Sequence, residues 1–254
     1  MKEKLSVKEI LVKKIDEKLK AQMFDLFREY YDDVSKEQFV FDLSEKTHVL
    51  FIFNKKTGKV IGFSTILQEK LKTKEQTITA LFSGDTVVHR DYWGSKALQV
   101  AFFFYILKTR LLYFWRPLYW FLISKGHKTY LMMINNFKEA YPHRERPTPD
   151  HITNILNEFY ERKYRSDFKK DQGIIKFISS KGAVKQNFAT ISHRDELNPD
   201  VQYFLRMNPD YQKGVELACV CRISVTDFLF HLKKYFLTSR KKESLHRSYF
   251  NSRN

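Results

Sequence analysis

Cysteine is scarce in this sequence: Cys219 and Cys221 are the only two among 254 residues. A pair so placed supports neither a disulfide framework nor a zinc site, and on a strand both would face the same side. Histidines are not gathered either. No H-x-x-x-H and no C-x-x-C occurs, so a metal is not expected. The start, MKEKLSVKEI, lacks an apolar run of signal-peptide length, and the chain therefore reads as cytoplasmic. Internal repeats and low-complexity tracts are also missing. The nearest approach to a membrane span is Leu98 to Ile123, LQVAFFFYILKTRLLYFWRPLYWFLI, which Lys108, Arg110, Arg116 and Pro117 interrupt. A span needs about 20 predominantly apolar residues, and each mid-helix Lys or Arg costs ~2.5–3.5 kcal/mol. The run reads instead as a buried helix ending near Arg116 and then a buried strand. A place on the inner membrane surface stays open as an expectation.

Acidic residues are outnumbered, 29 against 45 Lys and Arg, for a net charge of +16. Such a field draws anions: phosphate-bearing cofactors, anionic lipid, an acidic carrier protein or nucleic acid. The plainer account is that dispersed lysines keep an aromatic-rich chain in solution. Aromatics reach 16%, with 23 Phe and 14 Tyr, which implies a bulky core, an apolar groove, or both. The length suits one large domain or two small ones, and a chain of this size hides roughly 70–75% of its unfolded surface.

Periodicity predicts a strand over 8–15, helices over 18–31 and 35–43 (Ser35 capping the second, with Gln38 three residues on), and a hairpin of strands 48–53 and 60–67 around Asn54–Lys59. Residues 68–76 read as a charged connection. Thr77–Val88 reads as a long strand whose Gly84 signals a bulge or a close backbone approach. After a turn at His89–Ser95 comes the aromatic helix 96–115, apolar nearly all round and so expected to be buried on most sides. Strand 118–123 follows, extended or followed by a further strand over 128–133. One or two helical turns are expected over 135–141 and a loop over 142–150, with a helix from Asp150. Segments 173–179 and 184–191 read as strands or loop, 198–214 as a helix ended at Asn208-Pro209, and 215–223 as a strand. Thr226–Thr238 reads as an amphipathic helix before a basic tail.

The informative block is Thr77 to Tyr141. A turn feeding a helix start presents unpaired backbone N–H groups and the positive end of the helix dipole, which bind a pyrophosphate. Trp93-Gly94-Ser95 is the expected turn. Ser95, Lys96 and Ala97 are the expected donors, with Lys96 adding charge.

The run Val87-Val88-His89-Arg90-Asp91-Tyr92-Trp93-Gly94-Ser95-Lys96-Ala97-Leu98 resembles the strand-turn-helix of the GNAT superfamily, V-H-P-x-Y-R-G-x-G-x-G. The preceding order, a helix pair, a hairpin with a Thr-Gly-Lys turn and a long strand, is similar too, so the resemblance covers roughly residues 8–141. It departs at Arg90 for the proline, Trp93 for the basic residue, Lys96 for the first helix-turn glycine, and Leu98 where a small residue is usual. The resemblance implies an α/β fold with a mixed, mostly antiparallel central sheet, a splayed parallel strand pair and flanking helices. Residues 1–224 would form that domain, with 143–200 an insertion or elaboration and 225–254 the amphipathic helix and basic tail. It also implies an N-acyltransferase in which an amine attacks a thioester directly. The donor would be acyl-CoA, acetyl-CoA or an acylated carrier protein, and the acceptor a small-molecule or lipid amine. Val87, Val88, Trp93 to Ala97 and Asn136 would hold the donor.

Tyr141 follows Asn135-Asn136, similar to that family's asparagine-then-tyrosine pattern, and the resemblance makes it the candidate acid; Asp85, beside Gly84, is the candidate base. Each also has a structural reading, Tyr141 as a packed ring and Asp85 as a bulge carboxylate. His89, His127 and His143 read as structural, and the two cysteines as core. The aromatic helix reads first as core and second as the lining for a long acyl chain. The alternative function is a noncatalytic basic module. It would bind anionic membrane or, less favoured, nucleic acid through Lys233, Lys234, Arg240, Lys241, Lys242 and Arg247 and the nearby Phe228, Phe230, Tyr235 and Phe236.

Overall fold

A computed structural model describes residues 4–177, 183–184 and 193–227. The expected helix over 226–238, the basic tail and most of the segment 184–191 lie outside the described residues.

In chain order the elements are β1 (Leu5–Leu11), α1 (Glu17–Arg28), β2 (Tyr31–Asp32), α2 (Lys36–Ser44), β3 (His48–Asn54), β4 (Val60–Lys72), β5 (Thr77–Val88), α3 (Ala97–Leu112), β6 (Leu118–Ser124), α4 (His127–Ile134) and β7 (Glu139–Tyr141). There follow α5 (Asp150–Tyr164), β8 (Phe168–Lys169), β9 (Ile174–Ile175), β10 (Ala183–Val184), α6 (His193–Glu196), α7 (Pro199–Met207) and β11 (Glu216–Ile223). Local chemistry sets several ends. Asp16 accepts from the Leu19 N–H and Ser35 from the Gln38 N–H at the starts of α1 and α2, and Asn198 with Pro199 opens α7.

Among the described residues nine strands make one sheet in the order β1-β3-β4-β5-β6-β11-β9-β8, with β7 also paired to β11. Every pairing is antiparallel except β5 with β6. This is the mixed α/β fold expected. Alternate residues divide its two faces. Leu50, Ile52, Leu118, Trp120 and Leu122 join the core under α3, α4 and α7. Val49, Phe51 and Phe63 pack under α1 and α2, and Tyr119, Phe121 and Val220 under α5, on the other face. The ring of Phe121 stacks on Phe159 of α5 at 3.9 Å. Cys219 and Cys221 sit fully buried on the α3 face, where burial pushes both thiols up.

Three expectations are corrected. Residues 128–133 are helical, within α4, where a strand was expected; Tyr130 and Met133 face the core four and seven residues from Gly126. Residues 139–141 form β7, not helical turns, because β11 supplies a backbone ladder. The charged stretch from Gln68 does not leave the sheet, since β4 runs on to Lys72 against Thr77. The aromatic helix also departs from expectation. Only Leu98, Tyr105, Ile106 and Thr109 of α3 are buried, and Val100, Phe104, Leu111 and Leu112 are exposed.

Candidate active site

The parallel pairing of β5 and β6 runs from Thr79 opposite Leu118 to Ser83 opposite Leu122 and stops there. Beyond it, β5 continues as Thr86–Val88 against β4 alone, and β6 as Ile123–Ser124 against β11 alone. The two strands therefore part at their C-terminal ends. On β5 the parting coincides with a bulge: Gly84 and Asp85 together oppose the single Thr65 of β4. Gly84 is needed there. A Cβ would lie 2.5 Å from Thr65 Oγ1 and 2.8 Å from Lys46 Cε. Tyr160 fixes the other side, its buried hydroxyl reaching the carbonyls of Leu122 (2.7 Å) and Cys219 (2.8 Å) and so bracing β6 against β11 where β6 leaves β5.

On one side of the gap is the start of α3. The connection from β5 folds tightly: Tyr92 donates to the His89 carbonyl, Trp93 to that of Arg90, and Ser95 to that of Tyr92. Gly94 has φ +84°, a left-handed conformation glycine adopts without penalty. Two of the three expected N–H donors are already used, Ser95 by Tyr92 and Ala97 by Ser95 Oγ at 3.3 Å. The N–H groups left without an acceptor among the described residues are those of Lys96, Leu98 and Gln99. The open N–H groups thus include Lys96, as expected, and otherwise lie one to two residues beyond Ala97. Trp93 lies exposed, and its indole N–H donates to the Val88 carbonyl at 2.8 Å, which occupies one backbone acceptor of the outgoing strand. Val87 is buried against the α1 and α2 core, on the face away from α3. Asn136 closes the end of α4, its amide donating to the Met132 carbonyl at 2.7 Å. That end is about 12 Å along the helix from the gap.

On the opposite side lies a charged cluster. Asp85 is half-buried; its charge acts on Tyr31, Lys46 and Tyr164. Glu216 of β11 is 3% exposed and pairs with Lys125 at 3.6 Å, and the Lys125 ammonium stands 5.1 Å above the Tyr31 ring. Burial raises the Tyr31 phenol far above its ordinary range, with the charges of Asp85 and Glu216 adding to it, so the group stays protonated and able to donate. Burial lowers the Lys46 ammonium, and the Lys163 charge adds to that. Lys46 donates to the Asp42 carbonyl at 2.8 Å. The Thr65 hydroxyl is buried beside Gly84 with no hydrogen-bond partner among the described residues. Tyr31, Lys46, Lys125 and Glu216 escaped sequence reasoning. Gly84 and the neighbouring Asp85 alone signalled this region, because a lone Lys, Glu or Tyr gives no pattern of its own.

Tyr141 is not brought to the gap. It lies on β7, pairs with Val220, and packs in the apolar core under α5 with β11 standing between it and β6. Its ring carries the Arg146 guanidinium at 5.3 Å. Among the described residues, no group of three or more His, Cys, Asp or Glu is arranged to hold a metal, and no helix is long and apolar enough to cross a membrane.

Strand order, parting and crossover helix together make a mixed, mostly antiparallel α/β fold with one parted parallel pair, the architecture expected from the sequence. No protein-family model and no curated protein matches the chain. Solved structures resemble it at low identity. A conserved protein from Enterococcus faecalis, described as a probable N-acyltransferase, is 12% identical over 51% of this chain and 31% of its own, with a TM-score of 0.39. An acetyltransferase from Trypanosoma brucei is 13% identical over 58% of this chain and 99% of its own, TM-score 0.39. A GNAT family N-acetyltransferase from Escherichia coli, solved in complex with CoA, is 12% identical over 48% of this chain and 64% of its own, TM-score 0.37. This chain thus spans under a third of the length of the first of these, and likeness at this level transfers no substrate or residue role.

Proposed function

We propose that the chain is an N-acyltransferase that takes its acyl group from acyl-CoA and passes it directly to an amine. The observation that carries the reading is the parting of β5 from β6 beyond Ser83 and Leu122, with open N–H groups on one side and a buried charged cluster on the other. In this reading the N–H groups of Lys96, Leu98 and Gln99 and the Lys96 ammonium hold the donor's phosphates. The thioester arm lies along the unpaired edges of Gly84–Val88 and Ile123–Ser124. Its carbonyl then emerges beside Asp85.

Asp85 takes the proton that the amine loses as its nitrogen bonds the acyl carbon. The carbon–sulfur bond breaks, and Tyr31 returns a proton to the departing sulfur. Tyr31 replaces Tyr141 in this role because it shares the cluster with Asp85. Lys125 with Glu216 holds the Tyr31 ring in place. Acetyl and long-chain donors, and an acylated carrier protein, are the forms to compare.

The test is release of free thiol from acetyl-CoA and palmitoyl-CoA against a panel of amines, with Asp85→Asn and Tyr31→Phe alongside. Amine-dependent thiol release that Asp85→Asn abolishes supports the reading. Calorimetry showing that the folded chain binds neither acyl-CoA nor acylated carrier protein overturns it.

A further inference from the structure

We propose that the outer face of α3 and the turn after it dock on an anionic phospholipid surface. Val100, Phe104 and Leu111 are separated by four and seven residues, so they form one stripe along the helix, and all three are exposed. The stripe runs into Leu112, Phe114 and Trp115, where Leu111, Phe114 and Trp115 are 66%, 69% and 62% exposed. A contiguous apolar patch of this kind marks an interaction surface. Its rings also pack on one another, Phe114 edge-on to Trp115 at 5.1 Å.

Charge identifies the partner. No acidic residue occurs between Asp91 and Glu139, whereas Lys96, Lys108, Arg110 and Arg116 border the stripe. Lys108 is paired to Glu9 of β1 at 2.7 Å, so the surface charge comes from Lys96, Arg110 and Arg116. The Arg116 guanidinium lies over the Tyr113 and Trp115 rings at 4.8 and 5.8 Å, and Arg110 bonds the Phe114 carbonyl at 2.7 Å. A surface helix with a bulky apolar stripe, basic flanks and an edge tryptophan has the composition of a helix lying in a lipid interface.

A second copy of the chain, at +16, would meet this face with the same sign of charge, and so would the basic C-terminal segment. Nucleic acid would match the charge and could stack on Trp115, but it gains little from Leu111 and Leu112. Anionic lipid satisfies both the charge and the aliphatic groups. A groove of about 520 Å³ opens beside the stripe, its lining including the apolar Val7, Leu50, Val100 and Phe104 together with Lys96 and the Glu9–Lys108 pair. It gives the lipid-facing side an apolar recess.

The experiment is flotation of the full chain with phosphatidylcholine vesicles, with and without phosphatidylserine, for the wild type, Leu111→Ser/Phe114→Ser and Arg110→Gln/Arg116→Gln. Binding should require phosphatidylserine and weaken with salt, and each double variant should lower partitioning by about tenfold or more. The substituted residues of the first variant are exposed, so its urea midpoint should match the wild type. In a Trp93→Phe background, Trp115 emission should shift to the blue on adding the anionic vesicles. Three results would overturn the proposal: no flotation with phosphatidylserine, flotation unaffected by either variant, or flotation equal on the two vesicle types. It would also fail if the Leu111→Ser/Phe114→Ser variant abolished a dimer seen by light scattering, or if single-stranded DNA bound the same face more tightly than the vesicles.

Discussion

The two sides of the β5–β6 gap differ in what they leave unpaired. On the α3 side, backbone is unpaired: N–H groups at Lys96, Leu98 and Gln99 beside an apolar core. On the α1 and α5 side, polar side chains gather: Lys125 pairs with Glu216 and stands over the Tyr31 ring, which the Asp85 charge also reaches. Backbone donors at a helix start bind phosphate whatever the side chains are, so sequence drift there is tolerated. Proton transfer depends on the identity and surroundings of individual side chains. The contrast teaches where substitutions should be felt in turnover and where in donor affinity.

The sharpest test of that contrast is Asp85→Asn. It should cut thiol release by about 100- to 10,000-fold while leaving acyl-CoA affinity unchanged; an equal loss of both would merge the two sides into one. Next comes Gly84→Val. Its side chain would collide with Thr65 Oγ1 and Lys46, displacing the bulge. We expect roughly a hundredfold loss of turnover and ~1–3 kcal/mol of stability by urea unfolding. Tyr160→Phe leaves the Leu122 and Cys219 carbonyls without their buried donor. It should cost ~1–3 kcal/mol, with a larger effect on turnover than on donor binding because the gap wall, not the helix start, loosens. Lys96→Glu should act on the other side only, raising the acyl-CoA dissociation constant about three- to tenfold at low salt, less at high salt, as calorimetry would read.

The smallest effect concerns pH. Burial holds His48, His127 and His143 below the usual imidazole range. Lowered folded values mean that the folded chain binds fewer protons than the unfolded one. Their contribution to stability is complete above about pH 6.5 and is lost as pH falls through the lowered folded values. The urea midpoint should therefore drop between about pH 7 and pH 5, and His48→Gln should flatten part of that slope.

Much of the scaffold was legible. Thr77–Val88 has the bounds expected of it, the Ser35 cap holds, and Gly84 marks a true bulge. What misled was short apolar runs. KTYLMM reads equally as strand or helix, and only its packing against α7 and β6 makes it α4. Likewise Glu139–Tyr141 became a strand because β11, some 80 residues further on, offers the ladder. Tyr141 left the candidate site for that reason, and Tyr31 entered it through contacts no spacing announces. The all-round apolar character of α3 suggested burial on most sides, but the sheet covers only one side of a helix in this layer.

The sequence by itself determined the apolar runs that build the central strands, the glycine that permits a bulge beside Asp85, the tight turn at Gly94 and the strongly basic balance. These are local or additive properties, set by each residue's geometry and charge. Tertiary structure alone decided that β5 and β6 part after Ser83 and Leu122, that Lys125 and Glu216 meet Tyr31 within reach of the Asp85 charge, and which N–H groups at α3 stay open. Those outcomes depend on pairings between segments far apart in the chain, whose register is fixed only when the whole sheet is assembled.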